Sequence, residues 1–159
     1  MKIGFTGHQR LTQATRRAVA AAIANIFSDY PQNHFIGLTS LAEGADQVFA
    51  FTVLAAGGQL HAVIPSDEYE LSFSDEQARM SYITLLRLTS SSVILPFTEP
   101  GEEAYLAAGH TVVDECDLLI AVWDGSEAAG RGGTGDIVKY ASEQDIEIKI
   151  VWPSGAQRL

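Results

Sequence analysis

The chain is predicted to fold as an α/β protein with a mainly parallel sheet of about six strands. Three observations carry this. Short apolar runs alternate with stretches of helical periodicity from Lys2 to Trp152. Each connection is long enough for a crossover helix, which parallel neighbours require. Three of the strand-to-helix junctions carry small and polar residues, as the loops at the carboxyl ends of such a sheet do when they hold a ligand. With right-handed crossovers, the first strand is expected beside the fifth at the point where strand order reverses, giving the order 4-3-2-1-5-6.

The elements follow in order. Lys2 to Thr6 reads as the first strand and leads into the loop Gly7-His8-Gln9-Arg10. Leu11, Ala14, Ala18, Val19, Ala22, Ile23, Ile26 and Phe27 then recur at helical spacing, with Arg16, Arg17, Asn25 and Ser28 on the other face and Pro31 helping to stop the helix. His34 to Thr39 gives the second strand. The loop Ser40 to Gly44 opens a helix bearing Ala45, Val48, Phe49, Thr52, Val53 and Ala56, which Gly57-Gly58 ends. Leu60 to Ile64 is the third strand, closed by Pro65. Ser66 to Ser74 is acidic and aperiodic, which fits a solvated loop or a mobile lid.

Ser74 and Gln77 fit a capping box for a helix that carries Ala78, Tyr82, Leu85 and Leu86 and ends near Thr89. Ser92 to Leu95 is a short fourth strand closed by Pro96. After the turn at Pro100-Gly101, Tyr105, Leu106, Gly109, Val112, Val113 and Cys116 mark one face of a helix. The apolar run Leu118 to Trp123 is the fifth strand and ends abruptly at Asp124-Gly125. A glycine-rich loop follows, then a helix with Ile137, Tyr140 and Ala141, a last strand from Ile146 to Trp152, and a polar tail from Pro153 to Leu159.

A length of 159 residues suits one domain, and 47% hydrophobic with 19% charged residues is ordinary for a globular chain. The formal charge of −10 repels nucleic-acid phosphates and anionic membranes at long range, so duplex nucleic acid and membrane surfaces are unlikely partners. Cys116 is the only cysteine, which excludes an intrachain disulfide and suits a buried structural thiol. The N-terminus starts with a strand pattern rather than a signal peptide, and no apolar run is long enough to span a bilayer; a reducing, cytoplasmic setting is expected.

The chemistry is expected at three loops. Gly130, Gly132, Gly133 and Gly135 lack side chains that would keep phosphates off the backbone, and they precede a helix N-terminus, where unpaired N–H groups and the helix dipole favour anions. In the first loop, Gly7 permits a tight turn, Arg10 can offer a planar fork to a phosphate or form a surface ion pair, and His8 can donate to a ligand, act as a general acid, or be structural. In the second, the Ser40 hydroxyl can cap the next helix or meet a phosphate. Glu43 and Asp46, beside Gly44, either complement the helix dipole or accept ribose hydroxyls. Asp124 and Asp136 divide in the same way between turn or cap roles and contacts to sugar or base. No His/Cys cluster has metal-ligand spacing, and no cofactor is implied.

Taken together, Gly4-Phe5-Thr6-Gly7-His8-Gln9-Arg10, Thr39-Ser40-Leu41-Ala42-Glu43-Gly44-Ala45-Asp46, and Trp123-Asp124-Gly125 followed by Gly132-Gly133-Thr134-Gly135 resemble the SLOG superfamily. That superfamily includes lysine-decarboxylase-like phosphoribohydrolases that release cytokinin bases, the DNA-processing protein A group, and stand-alone members thought to sense nucleotide-derived ligands. The resemblance spans Lys2 to Trp152 and implies a Rossmann-like fold that binds a nucleotide at these loops. The phosphoribohydrolases carry Pro-Gly-Gly-x-Gly-Thr-x-x-Glu; here Gly132, Gly133 and Gly135 match, while Arg131, Asp136 and Lys139 stand where the proline, threonine and glutamate would be. A cationic Lys139 cannot stabilise an oxocarbenium-like centre as a carboxylate can, which counts against the same mechanism.

The expected function is therefore a sensor or binding module for a nucleotide or nucleotide-derived ligand, with phosphates at Gly132 to Gly135, Thr134 included, and Arg10, and with sugar or base near Ser40, Glu43 and Asp124. The alternative is an N-glycosidase that releases a base from a nucleoside 5′-monophosphate, using Glu43 or Asp136 with help from His8 or Arg10. A DNA-binding accessory role is weakened by the charge and by the lack of a basic cluster beyond Arg16-Arg17. A homo-oligomer is compatible with Ala20, Ala21 and Ala24 on the first helix.

Overall fold

The computed structural model describes residues 1–30 and 34–159, so the expected stop at Pro31 lies outside the described residues. The elements are β1 (Lys2–Gly7), α1 (Gln13–Phe27), β2 (Ile36–Thr39), α2 (Ala45–Ala55), β3 (Gln59–Ile64), a 3₁₀ turn (Tyr69–Ser72), α3 (Glu76–Leu88), β4 (Ser91–Ile94), α4 (Glu102–Glu115), β5 (Leu118–Val122), α5 (Thr134–Glu143) and β6 (Glu147–Val151). The sheet has the order β4-β3-β2-β1-β5-β6 and is parallel at every pairing, as expected for mainly parallel strands.

β5 is buried at all five positions, which is what an apolar run covered on both faces looks like in a parallel sheet. Its neighbour β1 runs beside it in the register Ile3↔Leu118 to Gly7↔Val122. Two cores result, one on each face. The larger joins Ile3, Phe5, Ile120 and Val122 to Val19 and Ile23 of α1 and Phe49 and Val53 of α2. The smaller joins Leu38, Val63 and Leu119 to Val112, Val113 and Cys116 at α4 and Ile137 and Ala141 of α5. The chain thus leaves β1 on one face and β5 on the other, and the loops after these two strands flank the reversal of strand order.

Three local expectations are corrected, and one segment gains an attachment. Ser74 is not the cap of α3; Asp75 is, its carboxylate accepting the Ala78 N–H at 2.9 Å. The acidic segment is not a free lid. Its Asp67 and Glu68 amides donate to the Phe97 and Thr98 carbonyls, and Tyr69 is buried against Phe73, Tyr82 and Tyr105. Aromatic burial anchors the segment, while Asp67 and Glu68 stay exposed ahead of a short 3₁₀ turn and Glu70 within it pairs with Arg79. Gly7 does not form a turn but ends β1; a Cβ there would stand 2.7 Å from Ala45 Cβ, so its missing side chain lets α2 approach. The polar tail is tied down: Thr12 N–H donates to Gln157, Gln157 N–H to Thr15 Oγ1, and Leu159 N–H to Arg10, with an antiparallel bridge between Leu11 and Arg158.

Candidate functional site

The loops after β1, β2 and β5 meet at the carboxyl edge of the sheet around a cleft of about 520 Å³. Gly7, His8, Arg10, Ser40, Glu43, Asp46, Gly132, Gly133, Thr134 and Gly135 border it, whereas Gly44, Asp124 and Asp136 do not. Residues that the sequence reading did not single out complete the rim: Tyr69 and Phe73 from the 3₁₀ segment, Glu102 and Tyr105 from α4, and Arg158 from the tail.

The first two loops are locked to each other. Gly44 has φ +88°, and a Cβ there would collide with the Gln9 carbonyl, while the Ala45 N–H donates to the His8 carbonyl at 3.1 Å. Asp46 is buried and holds the second loop closed, accepting from Thr39 Oγ1 at 2.9 Å and from the Ala42 N–H at 3.3 Å. Its burial pushes the carboxyl up to about 6, against the pull of those hydrogen bonds. Leu41 adopts φ +58° here to place its side chain in the core, a strained backbone beside the cleft. Ser40 does not cap α2, whose N-cap is Gly44 without a side-chain bond; the hydroxyl borders the cleft.

His8 is buried, and its Nε2 faces the Asp124 carboxylate at 3.0 Å and the Asp124 N–H at 3.1 Å. Burial lowers its pKa, with Asp124 opposing, so the neutral ring is favoured. Asp124 closes its own turn by accepting the Ser126 N–H at 3.0 Å and the Ser126 hydroxyl at 2.6 Å, and these bonds, the hydroxyl first, hold its carboxyl far below the usual range. Its other oxygen meets Arg158 at 3.4 Å. Asp124 is thus a joint between the first loop, the glycine loop and the tail.

The glycines of the third loop serve its own packing first. Gly132 has φ +82°, and a Cβ there would stand 2.6 Å from the Leu106 nitrogen of α4. Its N–H donates to Asp136 at 3.2 Å, and the Gly133 N–H donates to the Gly130 carbonyl at 3.3 Å. The amides that open α5, at Thr134 and Gly135, have no intrahelical acceptor, and no side chain caps this helix at Gly133. These amides, rather than those of Gly132 and Gly133, have the free donor capacity for an anion. Lys139 is exposed on α5 and does not border the cleft.

No protein-family model matches the chain, and no curated protein matches it by sequence. Solved structures with the same fold include DNA processing protein A from Streptococcus pneumoniae, with a TM-score of 0.68 and 17% identity over 97% of this chain and 51% of that one. DNA processing protein A from Helicobacter pylori, described for its single-stranded DNA binding mode, gives 0.67 and 12% identity over 99% of this chain and 68% of that one. The Moco carrier protein of Chlamydomonas rheinhardtii gives 0.55 and 15% identity over 94% of this chain and 74% of that one. The chain spans about half the length of the Streptococcus protein. Among the described residues no helix is long and apolar enough to cross a membrane. The architecture is a Rossmann-like α/β fold, shared with these structures.

Proposed function

We propose that the protein binds a nucleotide or nucleotide-derived ligand in this cleft, as a sensor or binding module. One observation carries the reading: the cleft lies at the reversal of a parallel sheet and is lined by aromatic rings, arginines and the open amides at the start of α5. The base stacks on Tyr105 and Phe73, the phosphates meet Arg10 and the Thr134 and Gly135 amides, and the sugar lies toward Ser40 and Glu43. A thermal-shift screen against nucleoside mono-, di- and triphosphates, dinucleotides and cyclic nucleotides tests it, because a ligand that binds only the native state raises apparent stability. At least one class is expected to bind and to be recovered intact. No stabilisation by any member, with calorimetry agreeing, contradicts the reading.

A second reading, cleavage of an N-glycosidic bond, is favoured by the carboxylates of Glu43 and Asp46 at the cleft. Asp136 is poorly placed for it, since its carboxylate accepts the Gly132 N–H and does not border the cleft. Chromatography of each hit after incubation separates the readings: free base supports hydrolysis, and Glu43→Gln then lowers its rate by about a hundredfold or more if Glu43 acts as the general base.

A further inference from the structure

We propose that the C-terminal segment is a clasp that brings Arg158 to the cleft as a second phosphate-binding guanidinium beside Arg10, selecting ligands with a terminal phosphate or diphosphate. The inference rests on the cleft being an anion site, as proposed above, and adds a residue from a different part of the chain. The Leu11–Arg158 bridge and the bond from Leu159 N–H to the Arg10 carbonyl set residues 10–12 and 157–159 side by side as a short antiparallel ribbon. Both arginines border the cleft. In a chain with ten Lys and Arg against twenty Asp and Glu, three of those ten, Arg10, Arg131 and Arg158, stand at this one opening.

Their engagements differ in a way that suits capture. Arg131 is spent on Glu103 at 3.2 Å. Arg10 forms no ion pair among the described residues. Arg158 donates one N–H to Asp124 at a loose 3.4 Å, and its side chain is 45% exposed. A guanidinium carries five donors in a rigid fork, so one long bond leaves the fork available to a phosphate. Ser126 holds the first oxygen of Asp124 through two bonds, and the side chain is 23% exposed, so water can replace Arg158 at the second. The arginine can therefore turn to a ligand without stranding its partner. Glu43, Glu102 and Glu127 also border the opening and disfavour an anion held only by diffuse charge; a pair of directed forks counters this locally.

The test is calorimetric titration of inorganic pyrophosphate, and separately of ADP, at low salt into the wild type, Arg158→Gln and Arg158→Lys. The wild type is expected to bind pyrophosphate, Arg158→Gln to lose about tenfold or more, and Arg158→Lys to recover part of it by keeping the charge without the fork. Ligand is also expected to slow amide exchange at Thr12, Gln157 and Leu159. No pyrophosphate affinity in the wild type, or affinity in Arg158→Gln within twofold of it, overturns the proposal. Faster exchange at Thr12 and Leu159 in unliganded Arg158→Gln assigns any loss to a detached tail and also overturns it. Pyrophosphate binding that depends on Arg158 without ADP binding keeps the clasp and removes the nucleotide; ADP binding indifferent to Arg158 does the reverse.

Discussion

Two helix-opening glycines lead to opposite expectations for apparently similar roles. Gly44 and Gly101 are both N-caps without side-chain bonds, yet Gly44 has a left-handed φ and faces the Gln9 carbonyl, while nothing lies within 4 Å of a Cβ at Gly101. Gly44→Ala is expected to destabilise by at least about 2 kcal/mol, and Gly101→Ala by less than about 0.5 kcal/mol, in urea denaturation midpoints. Asp46 supplies the pH dependence. Its carboxyl moves from 3.8 to about 6 on folding, so the folded chain binds the proton more tightly than the unfolded one. The stabilisation by that proton is fully present below about pH 4 and lost as pH rises through about 6. Asp46→Asn is expected to abolish a loss of up to about 3 kcal/mol across that window, seen by comparing denaturation of the two proteins from pH 4 to 8. Equal pH profiles would contradict the assignment. None of this is visible in the sequence: Asp46 reads as a helix-dipole carboxylate or a ribose acceptor until Thr39 and Ala42 are seen to hold it in the interior.

At the scale of elements, the aromatic wall is built by a segment whose composition points the other way. Asp67, Glu68 and Glu70 surround Tyr69, and acidity masks one buried ring. The rings of Phe73 and Tyr82 stack with centroids 4.9 Å apart, and Tyr69 meets Tyr82 edge-on at 5.4 Å, which joins the 3₁₀ turn to α3. Tyr69→Ala is expected to cost about 3–5 kcal/mol in chemical denaturation, as removal of a buried aromatic does. Tyr105, half-buried on α4, leaves a face to the cleft; Tyr105→Ala is expected to weaken nucleotide binding about tenfold by calorimetry while leaving pyrophosphate affinity unchanged. The helices and strands themselves were legible because their apolar spacing survives in the cores, Val19-Ile23 in α1 and Leu118 to Val122 in β5 being examples. The tail was not, because Gln157 and Leu159 attach through backbone groups, which no residue type announces.

For the whole molecule, strand order followed from chain logic: helices on both faces and a reversal beside β1 leave few arrangements, and the observed sheet is the expected one. The convergence of three loops came with it. What topology did not fix is how each loop uses its donors. The glycines that suggested an open cradle are required by contacts with α4 and with the loop itself, and the free amides move to the start of α5. The central claim is that a phosphorylated nucleotide lies between the first loop and α5. Its most direct test is titration of ADP into isotopically labelled protein with amide chemical shifts recorded residue by residue. The account predicts saturable shifts at Gly7, Arg10, Ser40, Thr134 and Gly135, with β4 at the far edge of the sheet unmoved; shifts confined to other surfaces, or none at millimolar ADP, would contradict it.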